Sequence, residues 1–355
     1  MTIQFYKVKI KNIIRETSKA VTLVFEIPDD IKSNFNYKSG QYLTIRINSE
    51  GRDERRAYSA CSSPFANEDL AVTVKEVEKG FVSNYINNKL KIGEIVDLMP
   101  PLGHFTIEPY ERNERQVVLI GAGSGITPLM SILKSLLFVE KKSEILLIYS
   151  NRNEENVIFA KELAMLQSQY SNFSLINIYS QPINSELKQE KISEVLLKNL
   201  LQDKINNKLL FANYFICGPR GMMDIANATL NILGVAKERI HNESFVAAEK
   251  LDSDKIDEEV SNADIHTIKV RLYGEETEIP IETDETILVA GMRASLDPPF
   301  SCQIGACSTC RAKLVSGKVK MDDYDALTDS EIEQGYILTC TAHPLTSDVL
   351  VDYDD

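Results

Sequence analysis

The chain has 355 residues, enough for two or three domains, and its 43% hydrophobic and 26% charged residues are ordinary for a globular protein. It has no apolar run near the roughly 20 residues of a membrane helix, and its first residues lack the apolar core of a signal peptide, so we expect a cytoplasmic protein. The net charge of −13 is uneven, because residues 251–355 hold 23 acidic and 8 basic side chains. That distribution argues against nucleic acid as a partner and favours docking on a basic protein surface, unless it serves solubility alone.

Alternation of apolar and polar residues marks much of the first hundred residues as strands. The alternation covers residues 5–27, 41–47, 70–77 and 96–103, and residues 83–90 are predicted as a short helix. Short strands at close spacing, with turn residues between them, predict a small antiparallel barrel.

Two tetrapeptides within this predicted barrel carry groups suited to a phosphate and an aromatic ligand. In the first, Arg56 offers a planar fork for a phosphate, Tyr58 an aromatic face and Ser59 a hydroxyl. The second, Gly80-Phe81-Val82-Ser83, is a glycine turn with a hydroxyl at a predicted helix start, where backbone N–H groups suit a pyrophosphate. Each alone is more often surface charge and strand packing, but their order upstream of a nucleotide motif makes the pair specific.

At residue 117 the pattern changes to that of a parallel α/β unit. Val117–Ile120 is a continuous apolar run, typical of a buried parallel strand. A glycine loop follows, made of Gly121, Gly123, Gly125, Thr127 and Pro128. Its glycines permit a sharp turn and close approach to a pyrophosphate, while the threonine can cap a helix over residues 129–139 with the proline in its first turn. Because the third glycine comes one residue early for G-x-G-x-x-G, the motif predicts nucleotide binding but not an ordinary dehydrogenase.

The next predicted strand, residues 145–149, ends in Ser150-Asn151-Arg152. NAD-binding units usually carry Asp or Glu at this strand end for the ribose diol, whereas an arginine accommodates the 2′-phosphate of NADPH. Serine and arginine here favour NADPH, although Glu154 and Glu155 lie close by and NADH stays open.

Strand and helix alternation continues, with strands predicted at 173–178, 214–217 and 240–245 and a helix at 192–201. Cys217-Gly218-Pro219 follows the second of these strands, and the carboxyl ends of strands are where open α/β sheets bind ligands. We therefore expect Cys217 beside the nicotinamide, the plainer alternative being a buried small apolar residue.

Four cysteines stand near the C-terminus, beyond a charged segment at 248–263 that lacks aromatic residues and is predicted to be a solvated linker. Hairpin strands at 267–272 and 276–281 and a helix at 288–296 are predicted before them. The cysteines are Cys302, Cys307, Cys310 and Cys340.

Their C-x4-C-x2-C…C spacing is that of plant-type [2Fe–2S] clusters, and the small residues between them let backbone N–H groups reach the sulfurs. Structural zinc sites usually show two C-x2-C pairs, and here there is only one. Disulfides are unusual in a chain without a secretion signal. The spacing thus predicts an iron–sulfur cluster and leaves Cys61 and Cys217 as free thiols.

These motifs, in this order, resemble the ferredoxin–NADP⁺ reductase superfamily with a plant-type ferredoxin domain fused at the C-terminus, as in oxygenase reductases. The resemblance covers almost the whole chain and implies a multidomain fold: an antiparallel β-barrel for FAD, an α/β parallel-sheet domain for NAD(P)H, and an α+β β-grasp ferredoxin domain. The expected bounds are residues 1–108, 109–247 and 265–355, with an acidic linker at 248–264.

The resemblance also implies roles for residues of the barrel. Arg56 would bind a flavin phosphate, Tyr58 would stack on the flavin, and Ser59 would hydrogen-bond near its N5 atom. The FAD pyrophosphate would lie on Gly80, Val82 and Ser83.

In the second domain, the glycine loop and the Gly218-Pro219 turn would hold the nicotinamide nucleotide, and Ser150 with Arg152 would meet its ribose or 2′-phosphate. Cys217, Glu243 and Phe245 would line the place where nicotinamide and flavin meet. Phe245 would be the aromatic cap on the flavin, although no terminal tyrosine ends the reductase unit as in chloroplast enzymes.

The implied activity is hydride transfer from NAD(P)H to FAD and release of single electrons through the cluster to a protein acceptor. That acceptor would be a di-iron or other non-haem iron oxygenase, epoxidase or desaturase. No acid–base pair is required, so the histidines are expected to be structural or at the surface: His104, His241, His266 and His343. A redox sensor without turnover is the alternative from another class, and a fixed electron-transfer subunit of a larger complex is the third.

Overall fold

A computed structural model describes residues 4–49, 52–245, 267–282, 285–303, 305–324 and 326–355. They form two compact units, of which one spans Phe5–Glu243 and the other contains Ser244–Asp355. The predicted linker at 248–264 lies outside the described residues. Within the described ranges, no helix is both long and apolar enough to cross a bilayer.

The first unit begins with an antiparallel barrel. Its strands and helix are β1 (Tyr6–Thr17), β2 (Ala20–Glu26), β3 (Tyr42–Ser49), β4 (Arg52–Ser59), β5 (Ala71–Lys75), α1 (Phe81–Asn88) and β6 (Ile95–Leu102). The strands pair in the order β4-β3-β6-β1-β2-β5, and a bridge between Ala60 and Val72 joins the two ends. Alternate residues such as Leu43 and Ile45 are fully buried, so the alternation in the sequence turns one face of each strand into the core.

The same unit continues as a parallel sheet with helices on both faces. The elements are β7 (Gln116–Ala122), α2 (Ile126–Val139), β8 (Glu144–Asn151), α3 (Ala160–Gln169), β9 (Phe173–Tyr179), α4 (Glu194–Ile205), β10 (Asn213–Cys217), α5 (Arg220–Ile232) and β11 (Ile240–Glu243). The strand order is β11-β10-β7-β8-β9, so the chain reverses direction across the sheet between β7 and β10. In open α/β sheets, ligands bind at the carboxyl end of such a reversal.

Five buried serines join the barrel to α2, and we call them the serine joint: Ser39, Ser62, Ser63, Ser131 and Ser135. Ser135 Oγ lies at its centre, donates to the Ser131 carbonyl at 2.7 Å and accepts from Ser39 Oγ at 2.6 Å. Ser135 Oγ has only one proton, and the Ser131 carbonyl takes it. In the 2.7 Å hydrogen bond between Ser63 and Ser135, Ser63 Oγ must therefore be the donor. Ser131 Oγ in turn donates to the Ser62 carbonyl at 2.6 Å, so each hydroxyl of the joint that faces α2 is paired.

A buried carboxylate holds the connection between the barrel and β7. Glu140, at the end of α2, is fully buried and accepts hydrogen bonds from Arg115 Nη2 (2.6 Å), Ser143 Oγ (2.6 Å), Asn113 Nδ2 (2.8 Å) and the Tyr110 N–H (3.1 Å). Burial raises the pKa of Glu140, but these hydrogen bonds outweigh it and hold the pKa below its ordinary value.

The second unit is a mixed sheet with two short helices. Its elements are β12 (Thr267–Leu272), β13 (Glu275–Pro280), α6 (Ile287–Arg293), β14 (Arg311–Ser316), β15 (Val319–Met321), α7 (Asp329–Glu333), β16 (Tyr336–Leu338), β17 (Ala342–Pro344) and β18 (Leu350–Asp352). Five strands pair in the order β13-β12-β18-β14-β16, and β15 pairs with β17. The cysteine loop lies between α6 and β14, and the fourth cysteine lies between β16 and β17.

The expectation that Thr127 caps the helix after the glycine loop is wrong. Gly125 is already helical, with φ −61° and ψ −9°, so α2 begins at Ile126 and Thr127 is its second residue. The Thr127 hydroxyl donates back to the Ser124 carbonyl at 3.1 Å. No side chain caps the helix; the tight turn Gly123–Gly125 runs straight into it, and the Ile126 N–H donates to the Gly123 carbonyl.

Candidate functional site: a nucleotide edge, a flavin strand and a cysteine loop

The carboxyl edge of the parallel sheet gathers most of the predicted nucleotide residues. Pairing places Cys217 beside Gly121 on one side and beside Glu243 on the other. The glycine loop packs tightly there, since a Cβ added to Gly125 would lie 2.1 Å from the Cys217 carbonyl oxygen. Only glycine fits at that distance, so the loop after β7 and the Cys217-Gly218 turn form one close-packed edge.

The glycine loop has the features of a phosphate cradle. Gly123 has a φ of +54°, a conformation that favours glycine, and its carbonyl accepts a hydrogen bond from Tyr149 OH at 2.9 Å. The uncapped start of α2 follows directly. Backbone amides and the positive end of a 14-residue helix therefore converge where a pyrophosphate would lie.

A lysine that the sequence analysis missed also faces this loop. Lys75 closes β5 of the barrel, and its Nζ lies 3.5 Å from the Cβ position of Gly123. It is half-buried, and within the described part of the chain no hydrogen bond or ion pair engages its ammonium group. Burial, with Lys19 nearby, lowers the pKa of Lys75. A partly desolvated cation beside this loop is suited to binding an anion. In the sequence, the only signal for this role of Lys75 was its position at the end of a strand, shortly before the Gly80 turn.

Side chains from the barrel and the sheet meet beside this edge. Ser59 Oγ, at the end of β4, donates to Glu243 Oε2 at 3.1 Å. Cys217 is fully buried, and burial followed by the Glu243 carboxylate raises its pKa well above the ordinary value. The thiol therefore stays protonated and is not a nucleophile at neutral pH.

His241, two residues before Glu243 on β11, packs against the neighbouring strand β10. It stacks on Phe215 at 4.5 Å between ring centroids, and Phe215 in turn meets Phe105 of the barrel edge-on at 5.5 Å. Burial lowers the pKa of His241, so the ring is neutral at pH 7. This packing agrees with the expectation of a structural histidine.

The tetrapeptide Arg56–Ser59, predicted to bind the flavin, lies on β4. Tyr58 packs against the barrel core, and burial raises its pKa well above the ordinary value. Arg56 is half-exposed and is held by Glu54 Oε2 at 2.8 Å and by the Arg55 carbonyl at 2.7 Å. At the second tetrapeptide, α1 begins at Phe81 after Gly80 without a side-chain cap, and Ser83 Oγ accepts from the Val77 N–H at 3.1 Å.

One buried hydroxyl of the barrel, that of Thr44, bears on whether a bound group completes this region. Thr44 on β3 is 1% exposed, and its Oγ1 has no hydrogen-bond partner within the described ranges. Pairing sets Thr44 opposite Ala57 and Tyr42 opposite Ser59, so Thr44 lies on the same face of the sheet as Ser59. Buried hydroxyls are nearly always paired, so a bound group is expected to supply a partner beside Ser59 on this face; Tyr58, which is set opposite Leu43, lies on the other face of the strand.

At the end of β8, Ser150 is half-buried and Arg152 is exposed, with its Nε donating to Gln181 Oε1 at 2.8 Å. Glu154 accepts the N–H groups of Ile183 and Asn184, each at 2.9 Å, and these bonds lower its pKa. Of the two carboxylates that kept NADH open in the sequence, Glu154 is thus already bound to backbone, and Glu155 is exposed. Phe245 follows β11, is 36% exposed and belongs to the second unit.

In the second unit, the cysteine loop is shaped for sulfur ligands. Gly305 has a φ of +75° and donates its N–H to Cys340 Sγ at 3.4 Å. Three of the thiols are buried, and Cys302 is half-buried. Contact with Cys302 and burial raise the pKa of Cys307; contact with Cys302 lowers the pKa of Cys340, but contact with Cys310 and burial outweigh it.

The four thiols therefore form one connected group, in which Cys302 contacts Cys307 and Cys340, and Cys340 contacts Cys310. Among the described residues, no three His, Cys, Asp or Glu side chains are arranged to hold a single metal ion. Four thiols grouped in this way suit two irons better than one tetrahedral zinc. The four residues present thus fit a [2Fe–2S] cluster, whose irons would offset the cost of crowding four thiolates, three of them buried.

A cavity of about 290 Å³ lies at the opposite edge of the parallel sheet, lined by residues such as Gln116, Lys142 and Asn172. It faces the amino ends of β7, β8 and β9. Nucleotides bind at the other edge of such sheets, so this cavity is not the nucleotide site.

Three family models match the chain in succession. The oxidoreductase FAD-binding domain matches residues 7–107, the oxidoreductase NAD-binding domain matches residues 119–228, and the 2Fe-2S iron-sulfur cluster binding domain matches residues 270–345.

Curated relatives match over nearly their full length. A component of the 1,2-phenylacetyl-CoA epoxidase of Escherichia coli is 35% identical over 99% of this chain and 98% of its own. The ferredoxin reductase component of 3-ketosteroid-9-alpha-monooxygenase from Rhodococcus rhodochrous is 32% identical over 97% of this chain and 95% of its own.

Among solved structures, phthalate dioxygenase reductase covers 98% of both chains with a TM-score of 0.60 at 21% identity, which shows the fold. The FAD/NAD-binding domain of a Vibrio cholerae nitric oxide dioxygenase covers 68% of this chain and 99% of its own, with a TM-score of 0.59 at 28% identity. FAD, NAD(P)H and a [2Fe–2S] cluster are thus the redox groups of this protein, which is an NAD(P)H-dependent oxidoreductase. The chain belongs to the ferredoxin–NADP⁺ reductase superfamily, in the branch with a fused [2Fe–2S] domain that includes the reductase components of oxygenases.

Proposed function

We propose that this protein takes electrons from NADPH and delivers them, one at a time, to a non-haem iron oxygenase or epoxidase. The observation that carries the proposal is the meeting of Ser59 and Glu243 at 3.1 Å beside buried Cys217. It joins the flavin strand of the barrel to the nucleotide edge of the sheet. When bound there, FAD supplies the two-electron to one-electron chemistry that links NADPH to the cluster.

Within that proposal, the residues of the first unit bind and orient. Arg56, Tyr58 and Ser59 hold the flavin, with Gly80, Val82 and Ser83 on its pyrophosphate. The glycine loop, Gly218 and Pro219 hold the pyrophosphate of the nicotinamide nucleotide, and Lys75 adds a positive charge to that cradle. Cys217 and Glu243 line the hydride-transfer place and exclude water from it, and Phe245 is proposed as the flavin cap.

NADPH is the proposed reductant because of the arrangement at the end of β8. Arg152 presents an exposed guanidinium, whereas Glu154 is turned to the Ile183 and Asn184 N–H groups. The measurement is kcat/KM for NADPH and for NADH in wild type and in R152A. We expect R152A to lose activity with NADPH and to keep it with NADH; equal losses with both would contradict the proposal.

The acidic C-terminal segment supports docking of the cluster domain on a positively charged acceptor surface. Its excess of acidic residues would steer the encounter, and salt screens such steering over about 10 Å at 0.1 M. Raising the salt concentration should therefore slow reduction of the protein acceptor while leaving reduction of ferricyanide by NADPH unchanged. A salt-independent rate with the protein acceptor would remove the docking proposal.

Two assays test the function itself. Holoprotein with NADPH should reduce cytochrome c, and failure would contradict the electron-transfer activity. The purified iron oxygenase component of the same organism should form product only when this protein and NADPH are both present. Reduction of cytochrome c without support of any oxygenase would refute the acceptor but not the reductase.

Domain bounds of 1–108, 109–247 and 265–355 and a cytoplasmic location belong to the same proposal. The location is supported by Cys61 and Cys217, which are free thiols apart from the four proposed cluster ligands, because the cytoplasm keeps thiols reduced.

A further inference from the structure

One buried hydroxyl of the cluster domain has no partner among the described residues. Ser301 directly precedes Cys302 and is 1% exposed, and its Oγ makes no hydrogen bond within the described part of the chain. An unpaired buried hydroxyl destabilises a protein, so such groups are nearly always paired in the complete molecule. Ser301 therefore lacks something that the loaded protein supplies.

Other polar groups of the same loop already point at sulfur. The Gly305 N–H donates to Cys340 Sγ at 3.4 Å, and Thr309 Oγ1 lies 3.3 Å from Cys307 Sγ. Phe300, the residue before Ser301, packs in an apolar cluster with Cys310 and Cys340. The chain around Ser301 is thus buried against the cluster ligands, where sulfur is the acceptor that the loaded protein adds.

We propose that Ser301 Oγ donates a hydrogen bond to a sulfur of the [2Fe–2S] cluster and thereby raises its reduction potential. A hydroxyl has one proton to donate, and cysteine and inorganic sulfurs bound to iron accept hydrogen bonds. Reduction adds negative charge to these sulfurs, so a donor stabilises the reduced cluster more than the oxidised one. Ser301 is a positioning and tuning residue, not a cluster ligand.

The test uses full-length holoprotein with S301A, S301T and the control S316A. Ser316 lies in the same unit, but its hydroxyl already donates to the Asp348 carbonyl at 2.6 Å. After iron and acid-labile sulfide confirm loading, the cluster midpoint potential is measured by a redox titration followed by electron paramagnetic resonance. The Fe–S stretching bands are then compared in H₂O and D₂O by resonance Raman.

We expect S301A to shift the midpoint potential to lower values and to lose part of the deuterium shift of the Fe–S bands. S301T keeps the hydroxyl and should return both toward wild type, and S316A should change neither. If S301A does not load its cluster, S301G removes the same hydroxyl together with the whole side chain.

An unchanged potential and an unchanged deuterium shift in the hydroxyl-free variant would overturn the assignment. They would mean that Ser301 pairs with a buried water or a protein carbonyl instead. That outcome would leave the reductase activity and its proposed acceptor untouched, because neither depends on Ser301.

Discussion

The serine joint and the cysteine loop both bury serine hydroxyls, but they treat them differently. In the joint, Ser135 uses its proton and accepts two hydrogen bonds, all within the protein. In the loop, Ser301 is buried to the same degree and has no partner within the described ranges. The first region is complete as a polypeptide, whereas we propose that the second is completed by its cofactor.

The same contrast separates other parts of the first unit. Glu140 is fully buried with partners for both carboxylate oxygens, while Thr44 beside the flavin strand is buried without one among the described residues. Lys75 faces the phosphate cradle, and no side chain or carbonyl within the described part of the chain holds its ammonium group. Thr44, Lys75 and Ser301, which lack a partner among the described residues, thus lie beside the proposed redox sites, whereas the paired groups of the serine joint and Glu140 hold the first unit together.

The largest expected effect comes from removing a cluster ligand. Loss of a residue that only supports a metal ligand lowers metal affinity by roughly 10–100-fold, and C310S, which removes a ligand itself, should lower it further. The variant should therefore also fail to reduce cytochrome c. Reduction of ferricyanide by NADPH, which the flavin can perform alone, should persist. The measurement is iron content together with the two acceptor rates.

C61S is the matched control, because Cys61 is buried in the barrel beside Thr73 and should leave the cluster intact. A C310S protein with full iron and full cytochrome c reduction would refute the ligand set.

The next effect is on stability at the connection between barrel and sheet. E140Q leaves Arg115 without its carboxylate and should lower the free energy of unfolding by about 3 kcal/mol at pH 7. The pKa of Glu140 is depressed in the folded state, so its contribution is present above the ordinary carboxyl pKa of about 4.3 and is lost as pH falls through the lower folded value. The difference between E140Q and wild type should therefore shrink below about pH 4.

Thermal unfolding followed by flavin fluorescence between about pH 7 and pH 3 measures this difference. The exposed neighbour Glu114 gives the control E114Q, expected within about 0.5 kcal/mol of wild type. A constant difference down to the lowest pH would contradict the assigned role of the charge.

S135A sharpens the comparison with Ser301 directly. It leaves Ser39 and Ser63 without their common partner and should lower the stability of the first unit by about 2 kcal/mol. The cluster potential should not move. S301A should shift the cluster potential and leave the stability of the first unit unchanged. Thermal unfolding and redox titration of both variants measure this contrast.

S168A, which removes an exposed hydroxyl at the end of α3, is the control for stability. A shift of the cluster potential in S135A would break the distinction between the two regions.

The smallest effect is expected at Lys75. A hydrogen bond from a charged donor contributes roughly 1.5 kcal/mol, so K75M should weaken NADPH binding about tenfold. The free energy of unfolding should not fall, because K75M removes a partly desolvated, unpaired charge, and such a charge destabilises the folded state. The measurement is the dissociation constant of NADP⁺ together with the thermal midpoint.

K19M controls for general loss of positive charge near the loop, since Lys19 lies close enough to Lys75 to lower its pKa. Equal affinity in K75M and wild type would contradict the assignment.

Signals that lie in a short stretch of sequence were predictable. The alternation of the barrel strands, the apolar run of β7 and the spacing of the four cysteines each follow from local geometry. Strand β4 was missed, because Arg55 and Arg56 interrupt the alternation. Arg55 lies over the distant Phe5 ring, and Arg56 is held by its strand neighbours Glu54 and the Arg55 carbonyl. Helix α3 was missed too: it starts after Phe159 with a φ of +63°, a conformation that no local pattern predicts.

The site divides in the same way. The glycine loop and Cys217 were found because their residues are adjacent in sequence. Lys75 and Ser301 were not, because their significance depends on what is buried around them. Thr127 was misassigned as a cap, because the glycine turn runs straight into the helix and leaves no non-helical position for it to occupy.

Anaerobic stopped-flow mixing of the holoprotein with NADPH tests the central claim most directly. If NADPH reduces the flavin bound to the first unit and the flavin then reduces the cluster, the flavin absorption should bleach first and the cluster absorption afterwards. In C310S only the flavin should bleach, at the wild-type rate. Bleaching of the cluster before the flavin, or a flavin that stays oxidised while NADPH is consumed, would contradict the account.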